Sequence, residues 1–167
     1  MDHAHNVWIN GELVPPEHAV ISVFDAAVML GDTVTESTRT FGHRPFKLEQ
    51  HLDRLYKSLK VTRIDPGLSR DALLAVTLEV LEANRRLLAP EDDCWIVHNI
   101  SRGRSVAGAD PTRQHGQATV IVFTQSLVLT DWAPFYLEGC HAVTAMSRAV
   151  PPQALDAKIK HRSRMAY

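Results

Sequence analysis

The chain has 167 residues, 45% of them apolar and 22% charged, which suffices for one sizeable core and a second small unit. Lys and Arg number 18 against 19 Asp and Glu, so the net charge of −1 provides no field to draw in nucleic acid or an anionic membrane. Cys94 and Cys140 stand in no C-x-x-C spacing, which argues against a disulfide framework or zinc site, and no apolar run reaches the ~18 residues that span a bilayer. Without a basic-then-apolar leader, the expected compartment is the reducing cytoplasm.

In chain order, "VWINGELV" sets Asn10-Gly11 between two short apolar runs, a pair that tolerates positive φ and predicts a two-residue hairpin. After Pro15-Pro16, "GDTVTESTRTFGHRPFKL" alternates β-branched and polar residues around a Gly42-His43 turn, a second hairpin. Leu48, Leu52, Leu55, Tyr56 and Leu59 recur every three or four residues, one stripe of an amphipathic helix. A second helix follows in "RDALLAVTLEVLEANRRLL", with Ser69 as its N-cap and Asp71 in its first turn. "CWIVHNIS" and "ATVIVFT" read as buried strands, "TDWAPFYLEG" as a linker, and "CHAVTAMSRAV" as another strand. The ending, "KIKHRSRMAY", reads as a basic, helix-forming segment. Hairpin, hairpin, helix, helix, strand, strand is the order of an α+β fold, with a largely antiparallel sheet and helices on one face. The expected division is a small α+β domain over 1–130, a linker over 131–138, and the beginning of a larger domain over 139–167.

Several residues have the chemistry of a site. Lys160 is crowded by His161, Arg162 and Arg164, and cationic neighbours help turn a lysine into a nucleophile; the alternative is a solvated basic tail. Arg54 lies off the leucine stripe, so its fork faces either water or a ligand such as a phosphate. Glu36 and Arg39, three apart on a strand, fall on opposite faces. Arg102-Gly103-Arg104 is a basic strand exit that could hold a carboxylate. The nine histidines are scattered without ligand spacing, so no metal site is expected.

Taken together, "GDTVTESTRTFGHRPFKLEQHLDRLYKS", the "SRG" after a strand and the Lys160 segment after "RAVPP" resemble the fold-type IV pyridoxal-phosphate enzymes. That group holds the branched-chain and D-amino-acid aminotransferases, the (R)-amine transaminases and the aminodeoxychorismate lyases. The resemblance runs over nearly the whole chain and implies pyridoxal 5'-phosphate as cofactor, an amino acid or amine and a keto acid as substrates, and a homodimer. It implies Lys160 as the Schiff-base lysine, with Lys158 as competitor, because Lys160, His161 and Arg164 match the K-H-x-x-R string of the lyases. Arg54 would hold the cofactor phosphate, and Thr35, Ser37 and Arg39 would line the substrate pocket. The stretch "SVAGAD" lacks the arginine and histidine with which the D-amino-acid enzymes grip a carboxylate, a role left to Arg104. The resemblance also places the glutamate that faces the pyridinium nitrogen beyond Tyr167. The expectation is therefore an aminotransferase whose 167 residues alone are a poor catalyst. A lyase of the same fold and a non-catalytic binding module are the alternatives.

Overall fold

In the computed structural model, which describes residues 5–106, 108–110, 113–146, 148 and 150–163, Asn10 and Gly11 take φ of 51° and 107°. They close the turn between β1 (Val7–Ile9) and β2 (Glu12–Val14), setting Ile9 opposite Glu12. Gly42 and His43, at φ of 54° and 62°, do the same between β3 (Thr33–Phe41) and β4 (Arg44–Pro45). The short helix α1 (Ala26–Met29) precedes β3 and is capped by the Asp25 carboxylate, which accepts the Ala27 N–H at 2.8 Å.

The long helices are α2 (Leu48–Thr62) and α3 (Arg70–Arg85), the latter opened by Ser69 Oγ accepting the Ala72 N–H at 3.1 Å. β5 (Cys94–Ser101) and β6 (Thr119–Ser126) follow, then the exposed single turn α4 (Ala133–Leu137). The six strands order as β2-β1-β6-β5-β3-β4, every neighbouring pair antiparallel. This is the expected α+β architecture.

α2 and α3 pack on one sheet face. Leu48, Leu52, Leu55 and Leu59 of α2 and Leu73 and Val80 of α3 meet Trp8, Val34, Ile100, Val120 and Val122 in one buried cluster. Alternation along β3 sends Val34, Glu36, Thr38 and Thr40 to buried positions, while Ser37 and Arg39 stay partly exposed. Among the described residues no helix is long and apolar enough to cross a membrane.

Two local expectations are corrected. The described residues from Cys140 to Val150 form no strand; Cys140 to Met146 are exposed and pair with no other strand among the described residues. The described part of the ending, residues 158–163, is not helical either. It runs antiparallel beside the start of β3, with Thr35 N–H donating to the Lys160 carbonyl at 2.9 Å and Arg162 N–H to the Thr33 carbonyl at 3.0 Å. Arg164 lies outside the described residues.

Candidate active site

Glu36 is the centre of the site. It sits mid-strand on β3 with no exposure, on the face that α2 covers. The leucine stripe turns α2 into the core and leaves His51, Arg54 and Ser58 on its flank, spaced three and four apart. Arg54 grips the Glu36 carboxylate with a fork, Nε to Oε2 and Nη2 to Oε1, both at 2.6 Å. His51 Nδ1 lies 3.1 Å from Oε1, and the Ser37 N–H donates to Oε1 at 2.8 Å.

Lys160 arrives from the far end of the sequence. Its backbone is fixed against β3, its neighbour Ile159 is buried, and its N–H reaches Ser58 Oγ at 3.4 Å. Its Nζ donates to Glu36 Oε1 at 2.9 Å and to Ser37 Oγ at 3.0 Å. A buried carboxylate is costly unless paired and hydrogen-bonded. Burial alone would push the Glu36 carboxyl up, but Arg54, Lys160, the Ser37 N–H and His51 outweigh it and bring it down to about 2. The same bond raises the Arg54 guanidinium.

Behind Glu36, its β5 register partner His98 is fully buried and faces α3. The Thr77 hydroxyl donates to the Leu73 carbonyl at 2.6 Å, so it accepts from His98 Nε2–H at 2.9 Å. That tautomer leaves His98 Nδ1 bare and without a hydrogen-bond partner. Burial pushes the imidazole down to about 4, against a smaller pull from the Glu36 charge.

Arg54 and Lys160 open onto a cavity of about 670 Å³, lined also by Lys57, Lys158, His161 and Asp156. Four cations and an imidazole against one carboxylate make a donor set suited to a dianionic phosphate, with an amine at hand.

The other sequence candidates divide. Ser37 touches Lys160 directly, and Thr35 does so through its N–H, its hydroxyl being turned to the His98 carbonyl and Asn99 Oδ1. Arg39 is turned away: Nε donates to the Thr40 carbonyl at 3.0 Å, Nη2 to Asp93 at 3.4 Å, and the guanidinium stacks 4.0 Å over Phe41. Arg104 lies over Phe24 and its backbone bridges to Asp25, outside the Glu36 cluster. Arg102 is committed to structure, holding Asp32 at 2.6 Å and the carbonyls of Thr62 and Arg63 that end α2. The sequence pattern places Glu36 on a strand without assigning it to the site. Its signals are its place in the strand of the matched motif and an acidic residue among β-branched ones, while both its cations come from other elements.

Residues 33–167 match the family model for amino-transferase class IV. The chain belongs to that family. This class IV chain is 34% identical over 160 residues to branched-chain-amino-acid aminotransferase-like protein 1 of Arabidopsis thaliana, covering 93% of itself and 27% of that protein. It is 27% identical over 155 residues to the aminodeoxychorismate lyase of Bacillus subtilis, covering 93% of itself and 50% of the lyase. Among solved structures, the T.th. branched-chain amino acid aminotransferase complexed with N-(5'-phosphopyridoxyl)-L-glutamate superposes with a TM-score of 0.78 at 27% identity, over 96% of this chain and 51% of that one. This class IV chain thus spans about half or less of the length of these relatives.

Proposed function

We propose that the complete protein is a pyridoxal 5'-phosphate-dependent aminotransferase, moving an amino group between an amino acid or amine and a keto acid. The observation that carries this reading is the convergence of Lys160 and Arg54, from separate elements, on one buried carboxylate, with both cations lining a basic cavity. The donor set fits the cofactor: the half-exposed part of the Arg54 guanidinium that Glu36 does not grip, with Lys57 and Lys158 beside it, would hold the phosphate, and Lys160 would bond the aldehyde carbon. When bound, the cofactor supplies an aldehyde that takes up an amino group and a ring that accepts electron density.

The chain's own residues would do the rest. Lys160 would serve as the base that takes the substrate Cα proton and as the acid that returns one. Ser37 Oγ, 3.0 Å from Nζ, steadies the amine. Ser37 stands beside the amine; Thr35, Arg39 and Arg104 would need to turn from their present partners to reach a substrate. The exposed Trp132, Phe135, Tyr136, Leu137, Val143 and Met146 support a homodimer, since so much apolar surface is normally covered. Two free cysteines, one of them exposed, fit residence in the cytoplasm.

Borohydride reduction of the coloured protein, followed by peptide mapping, should find the cofactor on Lys160. Finding it on Lys158 would overturn the assignment. Turnover of an amino donor with no keto acid present would instead make the protein a lyase, the activity named for its B. subtilis relative. Arg54→Ala removes a charge-assisted hydrogen bond worth on the order of 1.5–3 kcal/mol, so pyridoxal phosphate should bind roughly tenfold more weakly or worse. Spectroscopic titration checks this, and an unchanged affinity would mean the phosphate is held elsewhere.

A further inference from the structure

Arg54 and Lys160 carry like charges, and like charges about 4 Å apart near a protein surface repel by a few kcal/mol. Something must hold them side by side. Glu36 Oε1 accepts both Lys160 Nζ at 2.9 Å and Arg54 Nη2 at 2.6 Å, while Oε2 takes Arg54 Nε at 2.6 Å. The acceptor is itself pinned, by the Ser37 N–H at 2.8 Å and by His51 at 3.1 Å. It is fully buried, whereas the side chains of Lys160 and Arg54 are 31% and 50% exposed, so the carboxylate stands behind both cations and presents them outward.

We infer that Glu36 is a positioning residue: its carboxylate fixes the spacing between the Lys160 amine and the Arg54 guanidinium, so that a ligand bearing both an aldehyde and a phosphate meets the two at once. This rests on the roles of Lys160 and Arg54 proposed above. A phosphate alone needs only Arg54 and its basic neighbours. An aldehyde alone needs only Lys160. The two-ended ligand alone depends on the spacing, and that separates positioning from charge.

The test uses the full protein, freed of cofactor with hydroxylamine. Brief acetylation with acetic anhydride, read by mass spectrometry, compares Lys160 with Lys57 and Lys158 in the same molecule. Lys160, its ammonium tied to Glu36 and Ser37, should label several-fold more slowly than the other two, and Glu36→Gln should abolish most of that protection. Glu36→Gln should also bind pyridoxal phosphate about tenfold more weakly or worse, as expected for losing one partner of a hydrogen-bonded charge pair, while binding inorganic phosphate no less tightly. A general loss of structure would move all lysines and both ligands together. Wild-type Lys160 labelling as fast as Lys57 and Lys158 would overturn the proposal, and this measurement stands even if the variant does not fold. Equal losses for phosphate and pyridoxal phosphate would overturn it too. Cofactor trapped on Lys158 with Lys160 still protected would remove the proposed role of Lys160 and leave the hold of Glu36 intact; cofactor trapped on an unprotected Lys160 would remove only the latter.

Discussion

Acidification from pH 7 to pH 4 is expected to cost the fold roughly 3 kcal/mol through His98 alone. The imidazole falls from 6.5 to about 4 on folding, because it is buried against Thr77 with its second nitrogen bare. The unfolded chain therefore takes up the proton first as pH drops, so the stabilisation is complete above 6.5 and is lost as pH falls towards 4. Glu36 has the same sign in a lower window. Its carboxyl goes from 4.5 to about 2 on folding, so its contribution is present above 4.5 and disappears as pH falls through 2. That is again roughly 3 kcal/mol, a large share of the about 5–15 kcal/mol that stabilises an ordinary domain. Urea midpoints followed by circular dichroism at pH 7, 5.5, 4 and 3 should decline in both windows. His98→Leu, which keeps the bulk and leaves the Thr77 hydroxyl on the Leu73 carbonyl, should flatten the upper decline and leave the lower one. A midpoint that stays level from pH 7 to 4 in the wild type would contradict the account of His98.

What the sequence made legible is local. Asn10-Gly11 and Gly42-His43 announce their turns because few residue pairs accept positive φ twice in succession. The leucines of α2 announce their face because a helix repeats every 3.6 residues whatever lies against it. Ser69 caps α3 with an oxygen that reaches only its own turn. A strand is different, since it exists by virtue of its neighbour. "CHAVTAMSRAV" has the composition of one, yet its described residues find no partner and stay exposed. The Lys160 segment has the charge of a surface helix, yet residues 160–163 lie extended because the free edge of β3 offers them the N–H of Thr35 and the carbonyl of Thr33.

The site shows the same division. Lys160 and Arg54 stood out through the resemblance of their surrounding motifs. Glu36, which joins them, could be placed on a strand face but not given a partner, because the register of α2 over β3 and the return of residues 159–162 are both non-local. Arg39 illustrates the converse. Its motif points to a pocket, while the structure gives its guanidinium to Asp93 and Phe41. The "SRG" motif proves to be architectural at each position. Ser101 Oγ donates to the Asp25 carboxylate at 2.6 Å, Arg102 ends α2, and Gly103 makes room.

That room is the basis of the second large effect: Gly103→Ala should destabilise the protein by several kcal/mol, enough to threaten folding at 37 °C. Gly103 has φ of +83°, where an ordinary L-residue is strained by roughly 1–2 kcal/mol. The greater cost is steric. A Cβ built on Gly103 would lie 1.9 Å from the Gln117 carbonyl oxygen and 2.9 Å from its carbon. Both are backbone atoms at the entrance to β6, so no side-chain rotation relieves the overlap; the chain leaving β5 must part from the chain entering β6. Moving Gly103 also strains its carbonyl, which accepts the Ala26 N–H at 2.8 Å, and its N–H, which donates to Ser101 Oγ at 3.1 Å. Those bonds hold the start of α1 and the Asp25 carboxylate against the sheet. Thermal or urea unfolding of Gly103→Ala beside the wild type measures the cost, and Gly11→Ala is the control, because it has positive φ but nothing within 4 Å of the added methyl. Gly11→Ala should therefore lose only the strain. A cost for Gly103→Ala no larger than that of Gly11→Ala would show that the β5 exit is not held against Gln117 as described.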